Sequence, residues 1–126
     1  MAAVPTENTS LELKVRRLLR SMGYGYRLHV RGLPGRPDIV LKSRGRAIIE
    51  VRGCFWHWHE CANFRMPVSN VEFWRAKLEA NRARDARNLT ALTDAGWRVL
   101  VLWECEMLDD ELLMRRLREF LEGSPE

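Results

Sequence analysis

Cys54, His59 and Cys61 fall within eight residues, and Cys105 follows far along the chain. Thiolate and imidazole are the ligands that tetrahedral zinc prefers, and four protein ligands make a closed, structural site. A catalytic zinc would show fewer thiolates, an open position for water and a general base beside it. The spacing is not that of a zinc finger, but it uses all three cysteines of the chain. An odd count argues against a disulfide framework. The residue types alone also allow Cys105 to be a buried core thiol and the loop cysteines to be incidental.

A second set is acidic. Pro37-Asp38 opens one candidate strand and Glu50-Val51-Arg52 closes another. Residues two apart on a strand share a face, so Glu50 and Arg52 project together, and Asp38 on the partner strand can reach them. Two carboxylates beside a cation suit Mg²⁺, which prefers oxygen ligands and keeps several waters. Such a metal activates water and neutralises charge on a cleaved phosphodiester. The arrangement has the form of the Pro-Asp…(Asp/Glu)-x-Lys nuclease signature, with Arg52 in the lysine place. The pattern is short and degenerate, and a Glu beside an Arg on a surface strand is ordinary. Glu12 is equally open, since it stands at capping-box spacing from Thr9.

A third set is aromatic and basic. Phe55, Trp56 and Trp58 stand beside the cysteines, and Trp74 begins a long helical pattern. Aromatics on a zinc-stiffened loop can wedge between base pairs, offsetting the cost of unstacking with backbone contacts. Arg75, Arg82, Arg84 and Arg87 can meet phosphates, although a charged helix face is usually only solvated. Core packing remains open for Phe55 and Trp56 and is the expectation for Trp97 and Trp103.

The elements that must position these groups follow from periodicity. Thr9 to Met22 reads as a helix, with Leu11, Val15, Leu18 and Leu19 at helical spacing and Gly23 and Gly25 ending it. Tyr26 to Val30, Asp38 to Lys42 and Ala47 to Val51 read as strands, the last two as a hairpin across Ser43 to Arg46. Gly53 to Pro67 is irregular. Asn70 to Thr93 is the longest helix, capped by Gly96; Trp97 to Trp103 is a strand, and Asp109 to Leu121 a last amphipathic helix. The order predicts an α/β (α+β) domain around a small mixed sheet.

A chain of 126 residues suits one domain, 1–126, and 46% hydrophobic with 30% charged residues points to a globular chain. The net charge of +4 favours polyanions, nucleic acid first. No apolar run approaches the roughly 18–20 residues that span a bilayer, and Met1 to Ser10 lacks a secretory pattern. A cytoplasmic, nucleoid-associated protein with no membrane partner is expected.

Together these residues resemble the Vsr family of very short patch repair mismatch endonucleases, from about Thr9 to Glu106. The landmarks are Leu33-Pro34-Gly35-Arg36-Pro37-Asp38, Gly53-Cys54-Phe55-Trp56-His57 and Glu72-Phe73-Trp74. They continue through Asn81, Arg84-Asp85, Gly96-Trp97-Arg98-Val99-Leu100 and Trp103-Glu104-Cys105. The resemblance implies a restriction-endonuclease-like core, a small mixed sheet flanked by helices, with one structural zinc site. It implies a Mg²⁺-dependent monomer that nicks duplex DNA at T:G mismatches, with mismatch-repair proteins as partners. A restriction, defence or homing-type nuclease, or a non-cleaving module for distorted DNA, are the alternatives.

By the same resemblance, Asp38 matches the main Mg²⁺ ligand and Val51 a residue whose backbone carbonyl helps bind metal. His57 matches the catalytic histidine near the scissile phosphate, and Glu12 a carboxylate that orients water at the metal. Cys54, His59, Cys61 and Cys105 match the zinc ligands. Phe55 and Trp56 match aromatics that intercalate beside the mismatch, and Trp74 and Arg36 are expected to touch DNA. The sequence departs from the pattern at Glu50-Val51-Arg52, where a well-known member carries an aromatic, a threonine and a histidine. Arg52 keeps a cation near the phosphate but stays protonated and cannot act as a general base. Glu50 restores a carboxylate, closer to the general nuclease arrangement. About eight residues precede the first helix, where the family carries a longer DNA-gripping arm.

Overall fold

Thr9 starts the first helix, α1 (Ser10–Ser21), its Oγ1 accepting from the Glu12 N–H at 3.2 Å. That satisfies one of the orphan donors of the first turn. Glu12, Val15 and Leu19 are the buried residues of α1, three and four apart on one stripe. Gly23, at φ +87°, closes the helix, and the Tyr24 N–H reaches back to the Leu19 carbonyl at 3.0 Å. The computed structural model describes residues 9–42, 45–54, 59, 61 and 65–123.

Three strands follow: β1 (Arg27–Leu28), β2 (Ile39–Leu41) and β3 (Ala47–Arg52). They pair antiparallel, with Leu28 opposite Ile39 and Ile39 opposite Ile49. A long helix, α2 (Val71–Asp94), then crosses over to β4 (Arg98–Trp103), which lies parallel to β3. A parallel pair requires such a crossover. The sheet order is β1-β2-β3-β4. A single 3₁₀ turn, Glu104–Glu106, leads to α3 (Asp110–Glu122), whose N-cap Asp109 accepts from the Glu111 and Leu112 N–H groups. The expected element order is observed, as is the expected α/β class: a small mixed sheet flanked by helices.

Alternation along the strands divides the core in two. Val15 and Leu19 of α1 and Leu113, Leu117 and Leu121 of α3 pack against Ile39, Leu41, Ala47, Ile49 and Leu102. Val40, Ile48, Leu92 and Trp97 pack on the other face, toward α2. A fully buried aliphatic side chain stabilises by about 1.5–3 kcal/mol, so the larger cluster anchors the fold. Over its 24 residues α2 buries only Leu78 and Leu92. A helix of that length runs about 36 Å, against about 20 Å for the six-residue β4, so α2 overhangs the sheet. Among the described residues, no helix is long and apolar enough to cross a membrane.

Period two also fixes the faces that matter for chemistry. Glu50 and Arg52 share the parity of Ile48 and face α2, whereas Val51 shares that of Ile49 and faces α1 and α3. Asp38 immediately precedes β2.

Candidate metal centres

The parallel register sets Arg52 opposite Trp103. Two residues past the end of each strand stand Cys54 and Cys105, so the pairing that builds the sheet helps to bring two distant thiols together. The ligand atoms of Cys54, His59, Cys61 and Cys105 all lie within 4.8 Å of one another. His59 Nδ1 is 3.6 Å from Cys54 Sγ and 3.5 Å from Cys105 Sγ. With Zn–S near 2.3 Å and Zn–N near 2.05 Å at tetrahedral angles, the S···N edge is about 3.6 Å. The four side chains therefore fit a zinc ion by both donor chemistry and size.

The backbone around the cluster is tied as well. The His59 N–H donates to the Cys54 carbonyl at 2.9 Å, and the Cys54 N–H donates to Glu104 Oε1 at 3.3 Å. Burial pushes the Cys54 thiol up to about 12, with the neighbouring thiols of Cys61 and Cys105 adding to the rise; Cys105 is raised too, again chiefly by burial. Crowded thiols with raised pKa values hold their protons until a cation compensates the charge, and a coordinated thiol is deprotonated outright. Trp103 does not join the core as expected. It ends β4 half-buried, belongs to neither core cluster and stacks on His59, with centroids 4.0 Å apart and planes 9° from parallel. The Arg52 guanidinium lies 5.6 Å from the Trp103 ring centroid.

The second centre forms where α1 meets the β1–β2 edge. Glu12 is 2% exposed, the one buried charged side chain among the described residues. Burying a carboxylate is costly unless it is paired and hydrogen-bonded. Glu12 is both: His29 Nε2 lies 3.0 and 3.1 Å from its two oxygens, and Arg16 reaches Oε2 at 3.3 Å. The capping box is thus used from one side only. The Glu12 N–H bonds Thr9, while its carboxylate turns to His29 and Arg16.

Glu12, His29 and Asp38 form a cluster whose ligand atoms lie within 4.8 Å of one another. Asp38 Oδ2 accepts from the Val51 N–H at 2.9 Å, and the Asp38 carbonyl accepts from the His29 N–H at 3.1 Å. Two carboxylates with an imidazole beside them form an oxygen-rich pocket of the kind a hard divalent cation takes. His29 is absent from the expectations above. Its type and its place after a strand carry no marker, whereas Glu12 had one: a charge on the apolar stripe of α1.

Glu50 and Arg52 occupy the opposite face of the sheet. With Gly35, Asp85 and Asn88 they line a cavity of about 30 Å³ under α2, room for one water. Burial, with Asp38 and Asp85 nearby, raises Glu50 from 4.5 to about 7, against the opposing pull of Arg52. Arg52 Nε is buried without a hydrogen-bond partner. Glu50 belongs to neither ligand cluster and stands across the edge from Asp38.

Of the expected DNA contacts, Phe55 and Trp56, with the catalytic candidate His57, lie outside the described residues. Trp74 is half-buried in the first turn of α2, edge-on to Phe73 at 5.3 Å, and Phe73 is 60% exposed. Arg36 sits in a turn closed by its own N–H on the Leu33 carbonyl, at φ +46°. That turn delivers Pro37 and Asp38 to the start of β2.

Comparison with known proteins agrees with these landmarks. The family described as DNA mismatch endonuclease Vsr matches residues 1–63. The chain is 50% identical over 124 residues to the type II nicking enzyme V.XorIIP of Xanthomonas oryzae, covering 98% of this chain and 90% of that protein. It is 41% identical over 128 residues to the DNA mismatch endonuclease Vsr of Escherichia coli, covering 98% and 81%. It is 36% identical over 121 residues to the type II nicking enzyme V.NmeAIP of Neisseria meningitidis, covering 96% and 86%. With a carboxylate–imidazole cluster built on the buried Glu12, a thiol–imidazole cluster and this breadth of identity, the chain belongs to the Vsr family of DNA mismatch endonucleases.

Proposed function

We propose that this chain is a single-domain endonuclease that nicks one strand of duplex DNA at T:G mismatches, with Mg²⁺ at Asp38 and a structural zinc ion at Cys54, His59, Cys61 and Cys105. The observation that supports the reading is that β3 and the residues just after it touch both clusters. Val51 bonds Asp38, and three residues later Cys54 enters the thiol–imidazole cluster. The segment bearing Phe55, Trp56 and His57 begins at one member of that cluster and ends beside another, His59. A zinc ion there would fix both ends of that segment relative to Asp38.

Bound between these residues, Mg²⁺ would supply charge neutralisation at the phosphodiester and a lowered pKa for water. Asp38 and the Val51 carbonyl would hold the cation, and the buried Glu12 carboxylate would accept a hydrogen bond from a water beside it. His57 exchanges the proton as general acid/base, and Arg52 offsets phosphate charge. Glu50, expected to join them, faces α2 on the other side of the sheet and stays outside this ligand set. Phe55, Trp56 and Trp74 contact bases, and Arg36 and the overhanging α2 meet the backbone. The protein works as a monomer on chromosomal DNA in the cytoplasm, alongside mismatch-repair proteins.

Relatives named as type II nicking enzymes support a second reading, a restriction-associated nickase without mismatch preference. Incubation with Mg²⁺ and duplexes carrying T:G, other mismatches or none separates the two. Selective cutting at T:G supports patch repair, and equal cutting of all duplexes supports the second reading. Absence of Mg²⁺-dependent cutting from every duplex and from supercoiled plasmid would sink both and leave a DNA-binding module.

A further inference from the structure

His29 is bonded to both acidic residues of the metal centre by different atoms. Its backbone N–H donates to the Asp38 carbonyl at 3.1 Å, and its Nε2 meets both Glu12 oxygens at 3.0 and 3.1 Å. An ionised carboxylate only accepts, so Nε2 carries the proton it shares with Glu12. With that nitrogen committed, His29 does not ligate a cation through it.

The backbone shows that the position is imposed. β1 stops at Leu28, and His29 stands at φ +45°. Left-handed backbone costs a non-glycine residue about 1–2 kcal/mol and persists only where the surroundings over-determine it. Here the turn lets one residue continue the ladder to Asp38 while its ring reaches α1.

We propose that His29 is a positioning residue: it tethers the buried Glu12 carboxylate at a fixed distance from Asp38, so that the cation pocket exists before metal and DNA arrive. The proposal rests on the nuclease reading above. Glu12 is otherwise held at Oε2 alone, by Arg16 from its own helix. The bond from the sheet is the one that sets the distance between α1 and Asp38.

Three variants separate the tether from the fold. His29→Asn tolerates the left-handed backbone, but its amide is too short to reach Glu12. His29→Gly fits that backbone without strain and serves if the Asn variant does not fold. His29→Gln restores the reach and an N–H donor. The readouts are Mn²⁺ binding to DNA-free, zinc-loaded protein by electron paramagnetic resonance, with Asp38→Ala as the blank, and the Mg²⁺ concentration for half-maximal nicking. Loss of a partner that orients a metal site typically weakens affinity about 10–100-fold. That loss is expected for His29→Asn and His29→Gly, with most of it recovered in His29→Gln, while DNA affinity in Ca²⁺ stays at the wild-type value. Wild-type Mn²⁺ binding in His29→Asn or His29→Gly, or no recovery in His29→Gln, overturns the tether. A protein whose Mn²⁺ binding follows residue 29 but which cuts no DNA keeps the tether and overturns the nuclease reading.

Discussion

The Val51 N–H donates to Asp38 Oδ2 at 2.9 Å, so one oxygen of the proposed metal ligand is already committed to the sheet. That bond orients the carboxylate at the start of β2. Asp38→Asn places a carbonyl oxygen where Oδ2 stands and can keep the bond while removing the charge. We expect the variant to retain its melting temperature within about 3 °C, corresponding to less than about 1 kcal/mol at this size, and to lose at least 100-fold in Mg²⁺-dependent nicking of supercoiled plasmid. Asp38→Ala should lose both the activity and the bond. Near wild-type nicking by either would remove Asp38 from the chemistry.

The thiol–imidazole cluster predicts one tightly held zinc ion per chain. Sulfur and nitrogen spaced 3.5 and 3.6 Å apart match tetrahedral edges and suit no hard cation. Elemental analysis of purified protein should return one zinc, and Cys61→Ser or Cys105→Ser should return much less. Chelation should lower the melting temperature by 10 °C or more, because structural zinc binding is coupled directly to folding. Full stability of a zinc-free wild type would exclude a structural role.

Much of this was legible because the informative residue types are scarce. Three cysteines and two nearby histidines, His57 and His59, left few ligand sets, and β-prone runs around Ile48 and Val99 gave the strands whose parallel register brings Cys54 level with Cys105. Asp38 was legible from its place after the turn at Leu33 to Pro37. Glu12 was half legible: capping spacing explains its N–H, but only the Val15–Leu19 stripe hints that its carboxylate points inward. His29 was not legible, because its role depends on a single left-handed residue that swings the ring from the strand toward α1. Strand parity placed Glu50 and Arg52 on one face correctly. It could not tell that α2 covers that face, which requires the crossover. Trp103 differs from its expected core place for a local reason: at the end of β4 its ring stacks on His59 of the thiol–imidazole cluster, a neighbour that only the fold brings to it.

The α2-covered face makes a pH prediction. Glu50 titrates near 7 in the fold against 4.5 for an ordinary glutamate, chiefly through burial. The folded state therefore binds the Glu50 proton more tightly than the unfolded chain does. Stability from this group is complete below pH 4.5, declines as pH rises, and is lost once pH passes 7. Above that, a buried charge costs on the order of 2–3 kcal/mol, allowing for partial solvation. Glu50→Gln cannot ionise, so without Mg²⁺ it should melt roughly 5–10 °C above wild type at pH 8 and within a few degrees of it at pH 4.5. An equal difference at both pH values would show that Glu50 is not held protonated by the fold.

The turn that delivers Asp38 depends on Gly35. This residue has φ +75°, and a Cβ there would stand 2.7 Å from Asn88 Nδ2 and 3.0 Å from Asn88 Cγ. Two costs add in Gly35→Ala: left-handed backbone for a residue with a side chain, about 1 kcal/mol, and displacement of Asn88 from the cavity it shares with Glu50 and Arg52. The variant should lose about 2 kcal/mol of stability. Asn88→Ala should remove the overlap with Nδ2 and Cγ but leave the backbone cost, so the double variant should be more stable than the sum of the two single losses implies, by roughly 1 kcal/mol. Strict additivity in urea melts would mean that α2 shifts freely away from the turn. In that case the turn, rather than its packing on α2, would be what places Asp38.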